Sequence, residues 1–373
     1  MLMPVVLAAA LMNAAMVAAS AVSAILIADD LGPALAGLPN TAGVLGTAAG
    51  AVAVGRWTTR LGRAQALRTG YGVGVAGAAL TVVAAVGAPI ALLFVGMSLL
   101  GVGNAASLLS RYAAADVVPL ARRARAMSTV VWASTIGAAG GPFLMAPSQS
   151  FASGFGLPAV AGPFLLALAA VFAALVASTY IRRVQSTDVP LRRPATGGGS
   201  VLLAAGVMIV GHLAMVSLMT AVPVHTHQHS EGLGLLGLML SVHTLGMFAL
   251  SPLTGWGIDR FGSRTVMLAG LMLLLLSAAL MTQTGAAFTP ALFVLGYAWN
   301  LCYLGGSAHL ASPELESRVE SSIWAVAAVS TATSPWLFTL GGFPLLSAVA
   351  AALAVPLLLL TLRSKGATKE LVR

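Results

Sequence analysis

The chain has 373 residues, of which 58% are hydrophobic and only 8% charged, with a mean hydropathy of +0.95 and a net charge of +9. A soluble domain carries about 25% charged residues, so this composition excludes a water-soluble globular protein and leaves lipid as the natural solvent. The single cysteine, Cys302, excludes an intrachain disulfide and a cysteine-based metal cluster.

A helix crossing about 30 Å of hydrocarbon needs roughly 20 apolar residues. Cutting the chain at charged and Pro/Gly-rich breaks predicts six spans over 4–28, 38–55, 66–87, 89–110, 126–146 and 158–181. Six more follow over 200–223, 234–254, 264–284, 288–310, 321–342 and 343–362. The first span lacks a basic leader and is too long for the apolar core of a signal peptide, so it reads as a retained helix. Gly72, Gly74 and Gly77 match GxGxxG but lie inside an apolar helix with no acid about 20 residues on, which argues against a dinucleotide site. The pairs Gly46/Gly50, Gly70/Gly74 and Gly137/Gly141 predict close helix packing instead. The stretch 182–199 is basic and then Pro/Gly-rich, and separates an N-terminal bundle (1–181) from a C-terminal one (200–373). The expected fold is an all-α, polytopic membrane protein with twelve helices in two six-helix bundles.

Orientation follows from the cations. With the N-terminus inside, the loops after spans 2, 4, 6, 8 and 10 and the C-terminus are cytoplasmic, and together they hold all 19 Lys and Arg residues. Cations accumulate on the cytoplasmic side of short loops, so both termini are expected there. The same distribution accounts for the net charge without nucleic acid as a partner.

Two stretches recur. Gly55, Arg60, Gly62 and Arg63 after span 2 are echoed by Gly255, Asp259, Arg260, Gly262 and Arg264 after span 8, the glycines lying 200 residues apart. Gly137, Gly141 and Pro142 in span 5 are echoed by Ser330, Ser334 and Pro335 in span 11, 193 residues apart. A parallel repeat of six helices places a solute site at the midplane between the halves. These features make the chain similar to the major facilitator superfamily, whose signature loop reads G-x-x-x-D-R-x-G-R. The second copy keeps the acid as Asp259; the first has Thr59 in its place. The resemblance implies that these loops gate the cytoplasmic side, the acid meeting a neighbouring helix N-terminus. The end of span 1, Ile27 to Gly32, and the span-5 motif at Gly137, Gly141 and Pro142 resemble drug/proton antiporters, which implies export; Met145 and Ala146 replace that motif's last glycines. Met97 stands where proton-coupled members carry an arginine in span 4, so coupling by that route is not expected.

Ionisable groups inside a bilayer are costly and point to function. On these spans no Asp or Glu lies at mid-membrane, and His212 and His243 remain. Histidine titrates near neutral pH, which makes His212 the proton-coupling candidate. The spans that line the cavity in the resembling family contribute Asn13, Asn104, Tyr297 and Asn300, with His212 and His243, as candidate substrate contacts. Asn104, Ser107 and Arg111 share one helical face. Arg111 is expected to snorkel to the cytoplasmic surface. His225, His227 and His229, in a predicted external loop, form a weak candidate site for a transition metal.

The function these observations predict is a secondary active transporter moving a small solute by alternating access, an exporter or proton-coupled antiporter. The alternative is a transition-metal transporter using the histidine loop. No Walker A pattern is present and Gly96-Met-Ser98 lacks a partner histidine, so no enzyme is expected, nor any cofactor. Expected partners are the solute, the bilayer and protons, with the protein a monomer.

Overall fold

Hydrocarbon offers no partner to a free backbone N–H or C=O, so a chain of this composition must close its hydrogen bonds within helices. The computed structural model describes residues 2–31, 37–181, 198–228, 233–283, 287–310 and 312–364. Among them every regular element is helical. The first half builds α1 (Met3–Leu31), α2 (Leu38–Leu61), α3 (Arg63–Ala85), α4 (Ala91–Asp116), α5 (Arg123–Gly154) and α6 (Ala161–Thr179), with a 3-10 turn at Leu120–Arg122. The second builds α7 (Gly198–Gln228), α8 (Leu233–Phe248), α9 (Ser251–Phe261), α10 (Ser263–Leu280), α11 (Phe288–Ser307) and α12 (Pro313–Arg363). Among the described residues, eight helical stretches are long and apolar enough to cross a membrane.

The elements depart from the expected spans in two ways. Span 8 is two helices, α8 and α9, broken at Ala249 and Leu250. Spans 11 and 12 are the two helical parts of α12, divided where expected, at Gly341 and Gly342, which lose helical geometry, with φ 59° at Gly342. α4, α5 and α7 also continue past the apolar stretches that located them, because backbone hydrogen bonds propagate regardless of side-chain hydropathy. α7 thus carries His225 and His227 within its last turns rather than in a loop; their side chains, and all of His229, lie outside the described residues.

The chain forms two compact units. Unit 1 comprises Met1–Pro119, Thr129–Val189 and Pro313–Ala325, and unit 2 comprises Leu120–Ser128, Pro190–Ser312 and Val326–Arg373. The beginning of α12 therefore packs within unit 1, and the beginning of α5 within unit 2.

The repeat is visible in the packing of each unit. A side chain at Gly46 of α2 would overlap the Ser98 carbonyl of α4, and one at Gly246 of α8 would overlap the Phe293 carbonyl of α11. Gly101 fits against Gly43 and Thr47, as Gly296 fits against His243 and Met247. Gly74 and Gly77, the last two glycines of the GxGxxG match, meet Gly103 and Gly96 of α4. Small residues let backbones touch where no hydrophobic force drives helices together.

Candidate functional site

The polar candidates divide into half-buried and fully buried groups. Asn13 of α1 is half-buried and donates to the Ser134 carbonyl of α5 at 3.1 Å. Asn104 of α4 is half-buried and donates to the Thr47 hydroxyl of α2 at 3.3 Å. Tyr297 of α11 is also half-buried. Asn300 is different: it is 0% exposed, and its amide donates to the Met247 carbonyl and the Ser251 hydroxyl while its oxygen accepts from the Thr254 hydroxyl, each at 2.7 Å. Those three partners flank the break between α8 and α9. Asn300 supplies polar partners where the helical ladder is interrupted, and both of its N–H groups are used in doing so.

His212 of α7 is buried beside an aromatic group from α8 and α11. The Trp299 indole N–H donates to its Nδ1 at 2.8 Å, Trp299 stacks on Tyr303 at 4.8 Å, and Phe248 meets Trp299 edge-on. An indole N–H can only donate, so Nδ1 is the bare nitrogen and the imidazole is neutral in this arrangement. A second proton would have to displace Trp299. His243 of α8 is buried too, with Nδ1 3.0 Å from the Leu292 carbonyl of α11, where its N–H is satisfied by backbone.

The two signature loops share one backbone geometry. Gly62 has φ 83° and ψ 155°, and Gly262 has φ 85° and ψ 153°, a left-handed region open to glycine at little cost. Each loop then meets the first turns of a helix inside its own unit. In unit 2, Gly255 fits against Ser128 and Ala124, and Asp259 accepts from backbone N–H groups of Ala124 and Arg125 with its carboxylate 3.4 Å from the Arg125 Nε. In unit 1, Gly55 fits against Ser317 of α12, and Arg63 pairs with both Asp116 of α4 and Glu316 of α12 at 2.8 Å. The polarity is exchanged: where the first loop carries Thr59 instead of an acid, α12 brings its own acid to the loop's arginine. Arg60 and Arg260 are exposed, and Arg264 donates to the Thr361 and Leu362 carbonyls at the end of α12.

Arg111 does not snorkel. It is 1% exposed and donates to Glu320 of α12 at 2.8 Å, to the Tyr112 hydroxyl at 2.8 Å and to the Leu108 carbonyl at 2.6 Å. The partner lies just before the expected start of span 11, and Glu316, Glu320 and Asp116 are functional candidates that the expected spans do not include. The signal was there: two glutamates four residues apart in a chain with only ten acids, on one face if the helix begins at Pro313. Also left out was His309, whose Nε2 lies 2.7 Å from the Ser263 hydroxyl.

Gly137 of α5 packs on the Ala10 carbonyl of α1; Gly141 and Pro142 continue α5, and their packing lies outside what is described. Among the described residues no three His, Cys, Asp or Glu side chains converge as a metal would require.

Residues 5–308 match the family model of the Major Facilitator Superfamily. The chain is 33% identical over 337 residues to the MFS-type transporter YddS of Bacillus subtilis, covering 83% of this chain and 77% of that one. It is 33% identical over 293 residues to the riboflavin transporter RfnT of Brucella anthropi, covering 74% and 71%. The E. coli fucose:proton symporter FucP shares the fold, with a TM-score of 0.75 at 15% identity over 98% of this chain and 99% of that one.

Proposed function

The chain belongs to the major facilitator superfamily, whose members carry small solutes across membranes by secondary transport, and from that premise we propose an exporter or proton-coupled antiporter with both termini in the cytoplasm. The confinement of all 19 cations to one set of alternate loops supports the orientation. Export is supported by the antiporter-like motif of α5, where Gly137 makes a close crossing with α1. Asn13 and Asn104 are the half-buried solute contacts of unit 1 and Tyr297 that of unit 2, while Asn300 and His243 serve as structural supports within unit 2.

The observation that carries proton coupling is the Trp299–His212 hydrogen bond. It holds a neutral imidazole on a spanning helix, and a proton arriving at Nδ1 breaks it and frees the aromatic group. The solute class to test first is a planar heteroaromatic such as a flavin. The relative named for riboflavin supports that choice, and so does the stacked Trp299–Tyr303 pair beside His212.

Purified protein is heated with riboflavin, with other flavins and with a panel of cationic drugs, nucleosides, amino acids and sugars. A ligand at 100 times its Kd raises stability by about 2.7 kcal/mol. The hit is then carried into liposomes under an imposed pH gradient. Gradient-driven flux that becomes pH-independent in His212→Ala is expected; unchanged pH dependence in that variant ends the proton-carrier role. A panel with no stabilising member and no flux overturns the transport assignment of the site.

A further inference from the structure

We infer that unit 2 binds a sodium ion between α7 and α12, on the hydroxyls of Ser217, Ser330 and Ser334 and the carbonyl of Thr331. All four residues belong to that unit, Ser217 on α7 and the others on α12. The site is separate from His212 and stands whether or not that residue carries a proton.

Ser330 is 3% exposed and faces α7. Its hydroxyl donates to the Leu213 carbonyl at 3.3 Å and lies 2.6 Å from the Ser217 hydroxyl. A hydroxyl has one proton and two lone pairs. With the Ser330 proton on Leu213, the proton between the two serines comes from Ser217. Both protons are then in use, and the lone pairs left over are two on Ser217 and one on Ser330. The pair presents oxygen, without a proton, to whatever lies beside it.

One turn on, Ser334 projects from the same face of α12. It is 0% exposed, and its hydroxyl has no hydrogen-bond partner among the described residues. A polar group buried in a spanning helix without a partner is costly. Proline follows it at position 335 and has no N–H, so the Thr331 carbonyl loses the donor a helix supplies four residues on. That oxygen points along the helix axis toward position 335, beside Ser334. The Ser334 hydroxyl does not turn back to cover it.

The chemistry of the set selects the ligand. It holds no sulfur and no imidazole, which favour transition metals, and no carboxylate, which calcium and magnesium take. Four neutral oxygens suit a hard monovalent cation, and backbone oxygens freed where a spanning helix loses its ladder serve sodium in this way. The short separation of Ser217 and Ser330 favours sodium over the larger potassium.

The full chain, purified into lipid nanodiscs, is titrated with radioactive sodium in choline buffer at fixed ionic strength. Unfolding is followed with and without sodium. Binding is expected to saturate, to be competed by unlabelled sodium in preference to potassium, and to raise the unfolding midpoint. Ser334→Ala is expected to weaken binding by about tenfold to a hundredfold, the loss of one contact to a charge. Without sodium that variant unfolds no lower than the parent, because the hydroxyl it gives up has no partner. Pro335→Ala returns an N–H to the Thr331 carbonyl and is expected to weaken binding as well, again with no loss of sodium-free stability. Thr333→Val removes an exposed hydroxyl of the same helix and leaves binding unchanged. A Ser334→Ala variant that loses affinity and sodium-free stability together would make Ser334 a packing residue and overturn the inference. So would binding that does not saturate, potassium or choline acting as well as sodium, or affinity unchanged in both Ser334→Ala and Pro335→Ala. Protein that binds sodium and moves no solute overturns the transport reading and leaves this site standing. Solute flux without sodium binding overturns this site and leaves the transport reading.

Discussion

Gly137 and Ser330 make the same helix crossing by different means. Gly137 of α5 lies against the backbone of Ala10 and Ala14 on α1, where any side chain would overlap the Ala10 carbonyl. Ser330 of α12, 193 residues later, keeps a side chain and uses it, donating its hydroxyl to the Leu213 carbonyl of α7 at 3.3 Å and meeting the Ser217 hydroxyl at 2.6 Å. One crossing is closed by absence of bulk, the other by hydrogen bonds.

The two positions should therefore respond differently to substitution. Gly137→Leu forces α1 from α5 and is expected to destabilise by about 1–3 kcal/mol, the cost of overpacking. Ser330→Ala keeps the space and loses polar contacts, costing about 0.6 kcal/mol, typical of interhelical hydrogen bonds in membranes. Thermal unfolding in detergent compares them; equal losses would mean the crossings are not built as described.

Arg111 and Glu320 form a pair in which each side chain is 1% exposed. Removing one partner strands a buried charge, so Arg111→Met or Glu320→Met is expected to cost about 3–5 kcal/mol. The double variant, apolar on both sides, should recover most of that loss. If the double variant is as unstable as the sum of the singles, the two side chains are not coupled.

Asn300 is expected to behave as a clamp. Asn300→Leu leaves the Ser251 and Thr254 hydroxyls and the Met247 carbonyl without their side-chain partner, at about 1–3 kcal/mol. Amide hydrogen exchange should quicken at 247–254 around the α8–α9 break. A variant that keeps parental exchange there but loses ligand affinity would return Asn300 to the solute site.

Gly62 and Gly262 hold positive φ, so alanine at either is expected to cost about 1–2 kcal/mol. Gly72 lies in the interior of α3 with open space beside it, and alanine there should be neutral or stabilise by up to about 1 kcal/mol. Unfolding midpoints of the three variants check the order; a neutral Gly62→Ala would refute the turn assignment.

The helices were legible because their cause is local. A run of apolar residues near 20 long must be helical in lipid, and Gly55 to Arg63 against Gly255 to Arg264 disclosed the repeat without any coordinates. The extent of α4 and α12 was not legible in the same way. Asp116 and Glu316 read as loop residues by hydropathy, yet Asp116 ends α4 and Glu316 lies in the first turn of α12, and Arg63 pairs with both.

Family, helix count and the pairing of the loops with each other were thus determined by the sequence alone, through patterns that repeat within short windows. Which acid meets which arginine was decided only by the tertiary structure. Arg111 finds Glu320 across 209 residues, and a lone arginine near a helix end looks the same in sequence whether water or a buried carboxylate awaits it. The same holds for Asn300 and Asn104: both are asparagines on candidate cavity-lining helices, and only packing made one a buried clamp and left the other half-buried. Burial depends on neighbours brought from distant parts of the chain, and no local pattern encodes it.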